Sequence, residues 1–418
     1  MPVPAATNFI AKAFERERLT RVADCLAMAL AASLPWSTSA TGILAALLLA
    51  ALIPTLDLGM LRRELSTAAG GLPVLLWTFG LIGVLWANVP LTERLAGLDS
   101  FHKLLMIPLL MAQFHRSGRG LPVLRAFLIS CAVLLLASWI LAFLPGLSWR
   151  GKGGTGVPVK DYISQGVMFS VCTFVLADCG LQLWRKGRQR AALGLYSLSF
   201  LFLANILFVL TSRTALAVVP VLLIVFVATR LTVKNQLAVV VSACVLAGAA
   251  WVGAPSMREN MMTLVEDVQH FDPLGSQTRA SLRLEFWSKS VDFVKSAPLI
   301  GNGTGSIPEL FRRSAAGQSG VASAASSNPH NQTLAVAIQL GLLGVGLLWA
   351  MWAAHLWMFR GPGLAGWTGL VIVIQNVTGS LFNSHLFDFT HGWLYVVGVG
   401  IAGGMVRRSL DTEGRGSH

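Results

Sequence analysis

Long apolar runs separated by short polar breaks repeat along almost the whole 418-residue chain. A helix crosses the hydrocarbon of a bilayer in roughly 20 residues, and on that ruler the chain divides into twelve spans. They fall near 22–36, 38–56, 70–89, 101–115, 121–145, 161–183, 192–211, 213–229, 236–254, 332–359, 364–382 and 386–406. The fourth is short and carries His102 and Lys103. Between the ninth and the tenth, where a turn would suffice, the chain stays polar over residues 255–331. The pattern predicts an all-α integral membrane protein in three sections: nine spans in 1–254, one large loop in 255–331, and three spans with a tail in 332–418. Inside the loop, residues 281–297 place apolar side chains at 282, 286, 287, 291 and 294. That spacing predicts an amphipathic helix lying on the membrane surface, stopped by Pro298. A further helix is expected near 256–269, behind Pro255 and Ser256.

Composition agrees with the pattern. The chain is 54% hydrophobic and 12% charged, against about 25% charged in soluble domains, which leaves no room for a large water-soluble catalytic domain. The five cysteines lie in or beside apolar runs and form no CxxC pair, so neither a disulfide framework nor a zinc site is indicated. A net charge of +13 would suggest nucleic acid if the basic residues were gathered in one patch. They are instead split between alternate loops. With the N-terminus inside, nineteen Lys and Arg fall in the inner segments and six in the short outer ones. By the positive-inside rule both termini are cytoplasmic and the 255–331 loop faces outward. Residues 1–20 are polar and basic and do not read as a cleavable signal.

The candidate chemistry gathers at the outer boundary. In Asn328-Pro-His-Asn331, Asn328 suits an N-cap and Pro329 the first helical position, which places His330 in the first turn of the tenth span. A helix N-terminus disfavours imidazolium, and a neutral imidazole is what a general base needs near neutral pH. An interfacial histidine that only hydrogen-bonds its neighbours fits the same position. Arg213 stands where the eighth span begins with almost no loop before it; it either snorkels or grips a phosphate bidentately. Arg283 and Trp287 share one face of the loop helix at i, i+4, with Arg279 one turn earlier. The run Pro298-Leu-Ile-Gly-Asn-Gly-Thr-Gly305 lacks the Lys-Ser/Thr ending of a P-loop; it reads as a turn, with a backbone anion nest as the alternative. The outer segment 150–156 is similarly Gly-rich and basic. Asp388, between the last two spans, either orients a catalytic histidine, pairs an arginine, or is a rim carboxylate. No carboxylate cluster has metal-ligand spacing.

Ser212-Arg213 at a span edge, Arg283-x-x-x-Trp287, Pro298-Leu-Ile-Gly301-x-Gly303 and His330-Asn331 opening a span occur in that order. Together they resemble the O-antigen ligase family of the O-antigen ligase and polymerase superfamily, over roughly residues 205–345 by motif and the whole chain by its twelve-span layout. The resemblance implies a GT-C-like membrane glycosyltransferase of the bacterial inner membrane that uses no cofactor and no metal. It would take a glycan from an undecaprenyl-pyrophosphate donor at the periplasmic face and pass it, with inversion, to a sugar hydroxyl of a lipid A–core acceptor. The implied catalytic residues are His330 as base, with Arg283 and Arg213 on the pyrophosphate. Arg279, Trp287, Asn331 and Asp388 are the implied substrate-binding residues.

Three other readings compete. Polymerases of the superfamily carry two substantial Arg-bearing outer loops, whereas residues 146–161 are short. A protein O-oligosaccharyltransferase usually adds a C-terminal extension, and here only a short tail follows the last span. A transporter or flippase predicts midplane polar groups and broken helices; few charges fall in the centres of these spans.

Overall fold

The computed structural model describes residues 4–147, 156–210, 212–253 and 278–416, with a few separate positions between 258 and 269. The described residues are helical or irregular, with no strand among them. In chain order the helices are α1 (Pro4–Ser33), α2 (Thr38–Leu52), α3 (Leu58–Leu65), α4 (Ala68–Gly83), α5 (Leu91–His102), α6 (Met106–Ser117), α7 (Gly120–Phe143) and α8 (Tyr162–Arg185). There follow α9 (Gln189–Asn205), α10 (Arg213–Arg230), α11 (Val233–Gly253), α12 (Arg279–Ser296), α13 (Ile307–Ala315), α14 (Gln332–Met358), α15 (Leu364–Gly379) and α16 (Phe389–Gly416). The basic segment 150–155 and, apart from those separate positions, the helix expected near 256–269 lie outside the described residues.

Each of the twelve expected spans coincides with a helix. Among the described residues nine helical segments are long and apolar enough to cross a membrane, or ten if α3 and α4, bent by 84°, count as one span. The α5–α6 pair runs as one segment of 27 residues. Two helices fall short of that measure: α1, whose apolar half contains Arg21 and Asp24, and α15, which has 16 residues. Polar caps start the helices where the sequence supplies them: Ser37, Asp57, Thr67, Asp161 and Ser212 each accept a backbone N–H from the first turn behind them.

Helices in lipid gain little from hydrophobic contact with one another and associate through close packing at small residues. One such approach joins α16 to α6, where a Cβ on Gly404 would lie 2.6 Å from the Met111 carbonyl oxygen. At one end of the bundle the chain termini and the α2–α3 and α6–α7 turns meet, through Arg16 and Arg116 on the Thr55 carbonyl and Arg408 on that of Arg116. At the other end lie Lys160 on the Leu34 carbonyl, and Asn328 on Asn383.

The Gly-rich run 298–305 is not a surface turn. Helix α14 breaks at Gly341, whose backbone is left-handed (φ 62°, ψ −163°), and an unpaired backbone inside a bilayer is tolerated only where protein satisfies it. The run does so. Asn302 and Gly303 donate to the Ile338 and Gln339 carbonyls at 2.8 and 2.9 Å, and Leu342 and Leu343 donate to those of Pro298 and Leu299 at 2.8 and 3.2 Å. Thr304 N–H reaches the Gly83 carbonyl at 3.0 Å and Gly305 N–H the Gln339 Oε1 at 2.8 Å. With those four N–H groups committed, the run offers no anion nest. Its role is to plug a broken helix, and no local sequence rule places a loop against a break some 40 residues away.

Gly303 (φ 89°) leaves no room for a side chain, since a Cβ there would lie 2.4 Å from Ala87 Cα. Gly303→Ala is expected to destabilise the fold by about 2–5 kcal/mol through overpacking and backbone strain. Gly317→Ala, at φ 75° but in open space, should cost only the strain. Thermal unfolding of the purified variants in detergent checks this; equal melting temperatures would show that the plug is not tight.

Candidate active site

His330 sits in the loop just before α14, not in its first turn. The helix begins at Gln332 and its N-cap is Asn331, whose side chain accepts the Leu334 N–H. Asn328 and Pro329 therefore do not start the helix as expected. The reason is local: Asn328 Oδ1 accepts the His330 N–H at 2.8 Å and the Ser384 hydroxyl at 2.7 Å. That Asx turn leads into a left-handed residue, His330 at φ 55°, which cannot propagate a right-handed helix. Left-handed backbone at a non-glycine residue is held by its surroundings and is common at functional sites.

The imidazole is half-buried and stacks on Phe286 with ring centroids 5.9 Å apart and planes 22° apart. Its Nδ1 lies 3.1 Å from Asn383 Oδ1. Burial lowers its pKa below the ordinary 6.5, the Arg283 cation lowers it further, and the hydrogen bond to Asn383 partly opposes both. The expected helix-dipole effect is thus replaced by desolvation and a neighbouring cation.

Arg283 and Phe286 belong to α12, which starts from a capping box of Thr278 and Ser281. The sequence predicts that this helix lies on the membrane, but its apolar face packs on protein. Phe286, Leu282, Phe293 and Val294 cluster with Ile307 and Phe311 of α13 and with Ala335 and Ile338 of α14. Of the five apolar positions that define the amphipathic pattern, Val291 is the one left exposed. A surface pattern shows that a helix has an apolar face, not what covers it. Trp287 is half-buried, and its indole N–H is sealed without a partner. Arg279 is the first residue of α12; its side chain lies outside the described residues.

Arg213 opens α10 behind Ser212 and is half-buried. Among the described residues no hydrogen bond or ion pair joins it to Arg283 or His330. Asp388 does orient a histidine, though a different one: its Oδ1 accepts the His391 ring Nδ1–H at 2.6 Å and the His391 backbone N–H at 2.9 Å. Burial would raise the Asp388 carboxyl, but the His391 bonds and charge, together with the Lys103 ammonium, hold it well below the usual carboxylate range. His391 stacks at 4.1 Å on buried His385.

Residues 198–349 match the family described as O-antigen ligase. The chain carries an O-antigen ligase domain. No curated protein matches it. The matched span runs from residue 198, within α9, past the break at Gly341 to residue 349 in α14, and includes Arg213, Arg279, Arg283, Trp287, His330 and Asn331; Asp388 lies beyond it. The match supports the ligase and polymerase superfamily and suggests a glycosyl-transferring membrane enzyme.

Residues outside the matched span pack against the candidate site. Asn383 and Ser384, in the α15–α16 turn, hold His330 and Asn328, and Gln332 Oε1 ties the Leu386 and Phe387 N–H groups of the same turn. Sequence reading passed over this turn because its partners lie about 50 residues upstream; the only signal was an outer segment rich in Asn, Ser, His and Asp. Asp388 divides two cavities. One of about 330 Å³ is lined by Glu93, Gly305, Asn328, Pro329 and Ser384, the other, about 550 Å³, by Trp36, Lys160, Asp161, Ser164 and Thr390. Burial lowers the Lys160 ammonium to about 8.

Proposed function

We propose that this protein is an O-antigen ligase that transfers a glycan from undecaprenyl pyrophosphate to a sugar hydroxyl of lipid A–core, at the periplasmic face of the bacterial inner membrane. The observation that carries the reading is a half-buried His330 with a depressed pKa, held beside the Arg283 cation within the O-antigen ligase span. The acceptor oxygen attacks the anomeric carbon as the bond from that carbon to the pyrophosphate oxygen breaks. The hydroxyl proton passes to the neutral imidazole, and the configuration inverts. Pyrophosphate leaves with its charge balanced by guanidinium groups of Arg283 and Arg213, which cradle phosphate bidentately. No metal is needed in this scheme. Both termini are cytoplasmic, in keeping with the distribution of Lys and Arg between alternate loops. Asp388, engaged with His391, supports the wall of the site and does not touch His330.

The break in α14 is a feature that transporters share, but here loop backbone fills it. The test is transfer by purified protein from an undecaprenyl-pyrophosphate glycan to lipid A–core with EDTA present. Glycosylated lipid A–core is the expected product. Lengthening of the glycan on its own carrier would make the protein a polymerase, and loss of product on EDTA addition would overturn the metal-independent mechanism.

A further inference from the structure

The hydrogen bonds around His330 fix more than its position. A backbone N–H can only donate, so the His330 N–H at 2.8 Å requires oxygen, not nitrogen, at that corner of the Asn328 amide. The Ser384 hydroxyl reaches the same oxygen. The other corner of Asn328 is therefore its NH2 group, which donates to Asn383 at 2.8 Å. That makes the facing atom of Asn383 its carbonyl oxygen, an acceptor with two lone pairs. His330 Nδ1 lies 3.1 Å from this oxygen and meets it favourably only as a donor. From this chain of donors and acceptors we infer that Asn328 and Asn383 are positioning residues that hold His330 in the Nδ1–H tautomer and leave the Nε2 lone pair as the base.

The inference rests on His330 being the base of the proposed reaction, and adds which nitrogen takes the proton and what enforces it. The geometry agrees at the second nitrogen. Nε2 makes no hydrogen bond among the described residues and is absent from the side-chain atoms sealed without a partner, so a hydroxyl can approach it. The orienting group is a neutral amide, not a carboxylate. A carboxylate on Nδ1 stabilises imidazolium and raises the pKa; an amide oxygen fixes the tautomer just as well without that cost. The site thereby keeps its histidine oriented and deprotonated together. Both asparagines are needed, because the amide of Asn383 is read only through Asn328, and Asn328 only through the His330 backbone. The left-handed backbone of His330 brings its own N–H and Nδ1 to the two ends of this relay.

Two nearly isosteric substitutions separate this device from a merely structural contact. Asn383→Asp keeps an acceptor facing Nδ1, so the tautomer survives; the new charge stabilises imidazolium. Its kcat at alkaline pH should stay within about threefold of wild type, while the acid limb of the pH profile moves up by roughly 1–2 units. Asn328→Asp removes the donor. The Asn383 amide then turns its NH2 toward the new carboxylate and so presents nitrogen to Nδ1, and the proton moves to Nε2. Here kcat should fall by at least about 100-fold, the low end of what a positioned base contributes, with KM for both substrates unchanged.

The experiment measures kcat and KM across pH for wild type and both variants in detergent, after each is shown monodisperse. It adds the 15N chemical shifts of His330 from histidine-labelled protein, assigned by difference against His330→Gln. A pyridine-type Nε2 in wild type and in Asn383→Asp, exchanged for a pyridine-type Nδ1 in Asn328→Asp, is the expected result. Equal losses in both variants, or a wild-type proton on Nε2, would overturn the inference. The shifts need no turnover, so an inactive wild type would count against the proposed reaction and leave the tautomer assignment to be judged on its own.

Discussion

His330→Ala is expected to lower kcat for glycan transfer by about 10²–10⁴-fold, the contribution of a positioned general base, while the protein still inserts and purifies. The site explains both halves of this result. The side chain stands in a loop outside α14, and its removal costs one stacking contact with Phe286 and one hydrogen bond to Asn383, losses of about 1 kcal/mol each. Neither unmakes the Asn328 turn, which is held through the backbone N–H of residue 330. The wild-type pH profile carries the same information. Burial and Arg283 set the imidazole below 6.5, so it is neutral at physiological pH and the rate falls only as the pH drops through that lowered value. Transfer assays between about pH 5 and 8 with both proteins decide the matter. Near-normal transfer by the alanine variant would remove His330 as the base.

Arg283→Ala should reduce kcat/KM by roughly 10²–10³-fold, the range for loss of one preorganised group that stabilises transition-state charge. It should also move the acid limb of the profile up, because the cation that depresses the His330 pKa is gone. Arg213→Lys makes the useful contrast. It preserves the charge but loses the planar fork, and among the described residues no hydrogen bond joins Arg213 to His330, so donor KM should rise while the acid limb stays in place. Steady-state kinetics with varied donor, repeated across pH, separates the two. An unmoved acid limb in Arg283→Ala would mean that this guanidinium does not act on His330, and an unchanged donor KM in Arg213→Lys would reduce Arg213 to a snorkelling residue.

The contrast between these two arginines shows how far the site could be read from the chain. Arg283 and His330 were singled out by residue type and by the elements that carry them, and the structure brings them together through α12 and the loop before α14. The turn that orients His330 was not visible, because Asn328 and Asn383 carry no chemistry of their own and matter only through the angle at which they meet. For Asp388 the sequence left a catalytic histidine, an arginine and the solvent rim open; in the structure it bonds His391, three residues on in the first turn of α16. The start of α14 was misplaced for a related reason. Asn328 and Asn331 are equally good caps in isolation, and only the competing bonds from Ser384 and the His330 backbone decide between them.

What the sequence determined by itself are the properties set residue by residue: twelve apolar segments that become helices, a polar section between the ninth and the tenth, and basic residues concentrated in alternate connecting segments. Burial in lipid rewards the composition of each segment separately, so these are readable without knowing what touches what. Tertiary structure alone decided that the Gly-rich run plugs the break at Gly341, that α12 turns its apolar face to α13 and α14, and that Asn383 faces Nδ1 of His330. Each of these depends on hydrogen-bond direction or shape between segments distant in the chain. Such complementarity belongs to pairs of surfaces, and no local pattern of residues records it.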